Sequence, residues 1–105
     1  MQMDLLQVIA EPRRREILEW VWDEEMAAGD IAARSSVTFG AVSQHLAVLR
    51  DAGLVAVRRE GNRRYYQADK DRLGPLRQVL EEMWSGSLDR LAATIEADLS
   101  AEEGD

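Results

Sequence analysis

Two short segments joined by Gly61-Asn62 limit the possible folds of this chain more than any other feature. Apolar and polar residues alternate from Leu54 to Glu60 and again from Arg63 to Ala68, as they do in paired strands with one buried face. A two-residue loop that begins with glycine suits a type II′ turn. The predicted cross-strand pairs are Glu60 with Arg63, Arg58 with Tyr65, Val57 with Tyr66, and Val55 with Ala68. We therefore expect a β-hairpin with an apolar base and arginines at its tip.

Three helical segments are predicted near the N-terminus. The first ends at Glu11-Pro12, because a residue before proline is disfavoured in a helix. Pro12 suits the first turn of the second helix, and Arg13, Arg14 and Arg15 supply its polar side. The third helix is short and lacks a capping side chain, since Ala27 precedes it. The apolar residues at helical spacing in these segments are Leu5, Leu6, Ile9, Ile17, Leu18, Val21 and Ile31.

A fourth helix is predicted from Phe39 to about Ala52, with Thr38 as its N-cap and Gly53 as its stop. Its apolar residues form one stripe, and short polar residues form another face. The stripe consists of Val42, Leu46 and Leu49, and the other face of Ser43, Ala47 and Arg50.

A long amphipathic helix is predicted after the hairpin, from about residue 71 to residue 99, with Pro75 in its first turn. Its apolar stripe is too long for one small core to cover, and the first helix has the same excess. Burying both surfaces against a second copy predicts a homodimer. The expected interface residues are Leu5, Leu6, Ile9, Met83, Trp84, Leu88, Leu91 and Ile95.

The order of these elements is that of a winged helix-turn-helix, a mainly α fold with a small β-hairpin wing. We expect one domain over residues 1–105, with the helix-turn-helix at about 28–52 and the wing at about 54–68. In this fold one helix enters the DNA major groove and the wing contacts the backbone or minor groove. Gln44 suits adenine, and Ser43 a base or a phosphate. The candidate DNA-binding residues are Thr38, Phe39, Gly40, Ser43, Gln44, His45, Arg50, Arg58, Arg59, Arg63 and Arg64.

The charge distribution is consistent with a polyanionic partner, although the net charge is −7. Between Arg34 and Gln67 there are six arginines and two carboxylates, a net charge of +4. The remaining seven basic and eighteen acidic residues carry −11. A basic segment in an acidic body allows one face to approach double-stranded DNA. Chance clustering of arginines on a solvated hairpin is the alternative explanation.

Composition excludes several kinds of chemistry. The chain has no cysteine and a single histidine, His45, so it offers no thiolate site and no multi-histidine metal cluster. Ser43 and His45 lie two residues apart on a helix and point to nearly opposite sides, which disfavours a hydrolytic dyad. We therefore expect no enzyme activity, no metal and no cofactor.

The location of the protein is predicted from its apolar segments and its N-terminus. No run of the sequence reaches the about 18 apolar residues of a membrane span, and the N-terminus lacks the basic start of a signal peptide. A cytoplasmic location is therefore expected.

Three stretches of the chain carry a resemblance to a known family. They are Glu11 to Leu18, then Val42 to Val55, which contains a serine-x-histidine-leucine signature, and Arg59 to Tyr66. Through them the chain resembles the ArsR-type bacterial transcriptional regulators over roughly Leu5 to Leu91. The resemblance implies a homodimeric repressor that binds an imperfect inverted repeat. Metal-sensing members use cysteines near the third helix or carboxylate and histidine ligands in the last helix, and this chain has neither set.

Several features allow a second interpretation. His45 is either a structural or phosphate-facing residue or a metal ligand. The three tryptophans form either core or dimer contacts or a ligand pocket; they are Trp20, Trp22 and Trp84. The carboxylates of the last helix form a solvated face or a cation site; they are Glu81, Glu82, Asp89, Glu96 and Asp98. The alternative function is a winged-helix protein-interaction module without specific DNA binding, which salt dependence would separate from a DNA-binding protein.

Overall fold

Residues 4–86 are described by the computed structural model of this protein. The chain divides into two compact units between Leu73 and Gly74. The first unit contains α1 (Leu5–Ala10), α2 (Pro12–Trp20), β1 (Met26–Ala27), α3 (Ala28–Arg34), α4 (Phe39–Asp51), β2 (Val55–Glu60), β3 (Arg63–Ala68) and a 3-10 helix (Lys70–Leu73). In the second unit a helix, α5, begins at residue 76 and is described as far as residue 86.

The first two helices are set by local capping. The Asp4 carboxylate accepts a hydrogen bond from the backbone N–H of Gln7 at 2.8 Å, and the Gln7 side chain accepts one from the backbone N–H of Asp4 at 3.1 Å. This reciprocal pair is a capping box. Glu11 caps α2 in turn, because its carboxylate accepts from the N–H of Arg13 at 3.2 Å. Pro12 occupies the first turn of α2 as predicted.

One arginine of the second helix is placed differently from expectation. Arg14 was expected on the polar side of α2, but it is buried, with 9% of its surface exposed. Its guanidinium donates to the backbone carbonyl oxygens of Val8 and Gln7, at 2.7 and 3.2 Å. Arg15 donates to the carbonyl oxygens of Ile9 and Ala10, at 2.8 and 3.0 Å. The free carbonyls at the end of α1 account for this placement.

The helix-turn-helix consists of α3 and α4. Ala27 provides no side-chain cap to α3, as predicted, and Ile31 fixes α3 by full burial. At the other end of α4, Gly53 adopts φ +78°. Its N–H donates to the carbonyl oxygen of Arg50 at 2.9 Å, and the N–H of Leu54 donates to that of Leu49 at 2.9 Å. These two bonds form a Schellman motif, so the predicted glycine stop is confirmed.

The wing is a three-stranded antiparallel sheet in the order β1-β3-β2. Every predicted hairpin pair is confirmed, and Gly61 has φ +59° at the first loop position, as a type II′ turn requires. The third strand, β1, was not expected from the sequence; in it Met26 pairs with Tyr66 and Ala27 with Tyr65. This short strand joins the start of α3 to the wing, so the position of the wing is tied to the helix-turn-helix.

The predicted start of the C-terminal helix at residue 71 is wrong. Asp71 belongs to the 3-10 helix, and Gly74 follows with φ +56°, a left-handed conformation that ends a helical segment. Pro75 then immediately precedes α5. Leu88, Leu91, Ile95 and the rest of the predicted helix to residue 99 lie outside the described residues. Among the described helices, none has the length and apolarity that crossing a bilayer requires.

The core of the first unit collects the predicted apolar stripes. Ten of its members are Val8, Ile17, Leu18, Val21, Ile31, Val42, Leu46, Leu49, Leu54 and Tyr66, all at most 6% exposed. The base of the wing is joined to this core by backbone hydrogen bonds. The N–H of Ala68 donates to the carbonyl oxygen of Val21 at 2.9 Å, and that of Asp69 donates to Leu54 at 2.8 Å. The wing tip extends beyond these anchors.

Candidate nucleic-acid interface

The two faces of α4 differ sharply in burial. Val42, Leu46 and Leu49 are 1%, 3% and 0% exposed, so one face is held firmly against the core. On the other face Ser43 is exposed and Phe39 is 60% exposed. This division follows the helical period of 3.6 residues. The outer face of α4 is therefore rigidly supported and open to a partner.

The first turn of α4 is fixed by its cap. The Oγ1 of Thr38 accepts a hydrogen bond from the N–H of Ala41 at 3.1 Å, which satisfies one of the amides that have no helical partner. At Gly40 an added Cβ would meet no heavy atom closer than Thr38 Oγ1, at 4.0 Å. The start of α4 thus leaves room for a close approach by another molecule.

The residues predicted to bind DNA lie almost entirely at the surface. His45 is the exception and is half-buried. Its i+4 spacing from Ala41 and Leu49 places it at the border between the two faces of α4. The exposed ones are Thr38, Phe39, Gly40, Ser43, Gln44, Arg50, Arg58, Arg59, Arg63 and Arg64.

A cleft of about 570 Å³ lies between the helix-turn-helix and the wing. It brings together the exposed face of α4 and the tip of the hairpin. The α4 residues that line it include Phe39, Ser43 and Arg50, and the wing residues include Asn62, Arg63 and Arg64. Residues that are far apart in sequence thus share one concave surface with arginines on two sides.

The four wing arginines divide between the two faces of the hairpin. Arg59 and Arg64 are directly opposite each other on β2 and β3. Both are exposed, and neither makes a side-chain hydrogen bond or ion pair with any residue between 4 and 86. Like charges placed opposite each other on a sheet repel. This pair therefore leaves two uncompensated positive charges on one face of the wing.

Arg58, on the other face, is already occupied. It forms a bidentate pair with Glu25, in which Nε donates to Oε2 at 3.0 Å and Nη2 donates to Oε1. Its Nη1 donates to Oε2 of Glu60 at 2.7 Å, and its guanidinium carbon lies 4.5 Å from the centroid of the Tyr65 ring. The hydrogen bond from Arg58 lowers the pKa of the Glu25 carboxyl, and the bonds to Glu25 and Glu60 raise the pKa of Arg58.

Two further candidate arginines make weaker ion pairs with acidic residues. Arg63 Nη2 lies 3.6 Å from Oδ2 of Asp30, and its guanidinium carbon lies 5.6 Å from the Tyr65 ring centroid. Arg50 Nη2 lies 3.3 Å from Oδ1 of Asp51. Both pairs lie at the surface, and their contacts of 3.3 and 3.6 Å are longer than those of Arg58, so these two pairs are weak and exchangeable.

Sequence reasoning missed three residues of this region. Asn62 was identified only as a turn residue, although it lines the cleft. Glu25 and Asp30 were not connected with the wing, because an ion pair between distant segments leaves no local pattern. The order of the elements and the basic character of residues 34–67 were the sequence features that pointed to this surface.

Comparison with known proteins places this architecture in a family. Residues 11–57 match the family model described as bacterial regulatory protein, arsR family. The HTH-type transcriptional regulator Rv2034 of Mycobacterium tuberculosis is 39% identical over 92 residues, which cover 88% of this chain and 86% of that protein. The chain belongs to the ArsR family. It is a winged helix-turn-helix DNA-binding transcriptional regulator.

A solved structure and a second sequence relative agree with this assignment. A possible transcriptional regulator for arsenical resistance is 40% identical, with a TM-score of 0.67, and the match covers 88% of this chain and 96% of the other. The transcriptional activator HlyU of Vibrio cholerae is 32% identical over 76% of this chain and 74% of that protein. The relatives of this chain thus include a protein that is named a transcriptional activator.

The expected dimer residues are only partly exposed in this ArsR-family chain. Leu6 is 64% exposed and Met83 is 41% exposed, whereas Leu5 and Trp84 are half-buried and Ile9 is 8% exposed. Leu88, Leu91 and Ile95 lie outside the described residues.

Within residues 4–86, no three metal-ligating side chains of the histidine, cysteine, aspartate or glutamate type come together.

Proposed function

We propose that this protein is a sequence-specific repressor that binds an inverted-repeat operator as a homodimer in the bacterial cytoplasm, without enzymatic activity. The observation that carries this proposal is the cleft between α4 and the wing. A rigid helix with short exposed polar side chains, next to exposed arginines, matches the shape and charge of a major groove with its flanking phosphates.

Base reading is assigned to the first two turns of α4. Gln44 is exposed, and its amide is able to form a bidentate pair with adenine. Ser43 lines the cleft and suits a base edge or a phosphate. Thr38 and Gly40 hold the helix start and permit close approach of the DNA backbone. His45 and Arg50 are secondary contacts at the border of this face.

Dimerisation is assigned to α1 and the C-terminal helix. Leu6 leaves 64% of its surface exposed on α1, and a second copy of the chain packed against α1 would bury this apolar surface. A related ArsR-type structure, the possible regulator Mb0332 from Mycobacterium bovis, is described as homodimeric; it is 29% identical, with a TM-score of 0.64 over 75% of this chain and 73% of that chain. A two-fold dimer places two recognition helices about 34 Å apart, one turn of DNA.

Repression follows from occupancy of promoter DNA. The SdpR protein of Bacillus subtilis, 33% identical over 63 residues, is named a transcriptional repressor. A dimer that covers a promoter excludes polymerase without any further contact. A reporter placed behind the selected operator tests this directly: expression should fall when the protein is produced, and a rise would identify an activator.

The deciding experiment is selection of bound fragments from random double-stranded DNA with the purified chain. We expect an enriched inverted repeat with half-sites about one helical turn apart. Affinity for that site should fall steeply with salt, since each phosphate contact contributes about 0.9 to the slope of log affinity against log salt. Absence of enrichment and of salt dependence would favour the protein-interaction module instead.

A further inference from the structure

The ion pairs of the wing arginines differ between the two faces of the hairpin, which indicates different roles for these faces. Arg59 and Arg64 lie on the same face as Tyr66 and Val57, and Arg64 lines the cleft beside α4. Arg58 lies on the opposite face, together with Tyr65. The first pair has no acidic partner among the described residues, whereas Arg58 has two.

The contacts of Arg58 span the whole sheet. The side chain begins on β2, stacks on Tyr65 of β3 at 4.5 Å, and reaches Glu25, which immediately precedes β1. It therefore connects all three strands in the order in which they pair. Because β1 runs directly into α3, this connection also links the wing to the helix-turn-helix.

A phosphate would have to compete with these groups for the same donors. Three nitrogens of Arg58 donate to carboxylates, and one face of its guanidinium lies on an aromatic ring. Both carboxylates would repel an approaching phosphate. Arg59 and Arg64 present no such obstacle, and their mutual repulsion is relieved when an anion binds between or beside them.

We propose that Arg58 is a positioning residue, which holds the wing against β1 through Glu25, and that Arg59 and Arg64 are the phosphate contacts of the wing. This inference rests on the proposed DNA-binding function. It reassigns one of the four wing arginines that composition alone treats as equivalent. It also gives Glu25, an acidic residue near the DNA face, a role that favours binding.

The test compares the salt dependence of operator binding in four single variants and one double variant, measured by fluorescence anisotropy with the selected DNA. Arg59→Ala and Arg64→Ala should each flatten the slope of log affinity against log salt by about 2 units, because each arginine occurs twice in a dimer. Arg58→Ala should weaken binding about 2- to 10-fold through the cost of ordering the wing, with an unchanged slope. Glu25→Gln should also weaken binding, and adding it to Arg58→Ala should cause no further loss.

Amide hydrogen exchange of the free protein supplies a second readout. Arg58→Ala and Glu25→Gln should speed exchange in β2 and β3 and leave α4 unchanged, whereas Arg64→Ala should alter neither. If Arg58→Ala flattens the salt slope as Arg64→Ala does, or if Glu25→Gln tightens binding, the inference is wrong while the proposed function stands. If the wild-type chain shows no salt-sensitive operator binding, the proposed function itself fails.

Discussion

The Nε of Arg14 donates a hydrogen bond to the backbone carbonyl oxygen of Val8 at 2.7 Å. Arg14 is 9% exposed and also donates to the carbonyl oxygen of Gln7 at 3.2 Å. The last carbonyls of a helix have no partner within that helix. A buried guanidinium thus satisfies carbonyl oxygens at the end of α1, where no glycine cap is present, and it connects α1 to α2.

Replacing Arg14 with methionine should therefore destabilise the fold. Methionine keeps most of the apolar stem but leaves the carbonyl oxygens without a charged donor, which should lower the free energy of unfolding by about 2–3 kcal/mol. Urea denaturation followed by circular dichroism measures this. Arg59→Met, at an exposed position of the wing, is the control and should change stability by no more than about 0.5 kcal/mol. Equal effects of the two changes would contradict a structural role for Arg14.

Two glycine-to-alanine changes should act in opposite directions. Gly53 has φ +78°, so alanine there should cost about 1–2 kcal/mol of backbone strain. The added Cβ would also lie 2.9 Å from Nε of Arg72, an exposed side chain that is able to move. Gly29 lies in α3, and a Cβ added there would meet no heavy atom within 4 Å, so alanine at this position should stabilise the protein by about 0.4–1 kcal/mol. Thermal melting of both variants checks the signs, and a stabilising Gly53→Ala would refute the Schellman motif.

The Gln44→Ala variant tests base reading. Loss of a bidentate contact with adenine should cost about 1–3 kcal/mol on the selected operator and little on random DNA. Competition binding with both DNAs separates the two effects. Gln67→Ala is a matched control, because Gln67 lies on β3 and its Nε2 donates to the backbone carbonyl oxygen of Asp23 at 3.3 Å. Equal losses on both DNAs would remove Gln44 from specific recognition.

The exposed side chain of Phe39 is expected to contact a thymine in the operator. It is 60% exposed in the first turn of α4, and the thymine C5-methyl is the apolar group that the major groove offers. Replacing the contacted thymine with deoxyuridine should cost the wild-type protein about 0.8 kcal/mol and should cost Phe39→Ala nothing. Titration of a series of single-deoxyuridine operators finds the position. A series without any sensitive position would exclude this contact.

Leu6 provides the test of assembly. A charge at this exposed apolar position, in Leu6→Glu, should shift the wild-type dimer to a monomer in sedimentation at micromolar concentration. Specific DNA affinity should fall with it, since the second half-site no longer binds as an intramolecular event. Ala33→Glu adds the same charge at an exposed position of α3 and should leave the dimer intact. A Leu6→Glu variant that remains dimeric would place the interface elsewhere.

Patterns that act within a few residues could be interpreted correctly before the structure was known. The Gly61 turn and the alternation around it determine the register of the hairpin, and Thr38 and Gly53 mark the ends of α4. The predicted start of α5 was wrong, because the apolar spacing in the sequence continues across the break between the 3-10 helix and α5. Gly74, with φ +56°, was the local signal that the prediction of a continuous helix from Asp71 overlooked.

The different environments of the arginines depend on tertiary structure. Arg13, Arg14 and Arg15 are equivalent in sequence, but only Arg14 is buried. The wing arginines look equally basic, yet Arg58 meets Glu25 across a long stretch of chain. The two-residue strand β1 carries no signal of its own and forms only because β3 offers it partners. Local sequence determines backbone conformation through sterics and capping, whereas the partner of a charged side chain depends on which distant segments the fold brings within hydrogen-bonding distance.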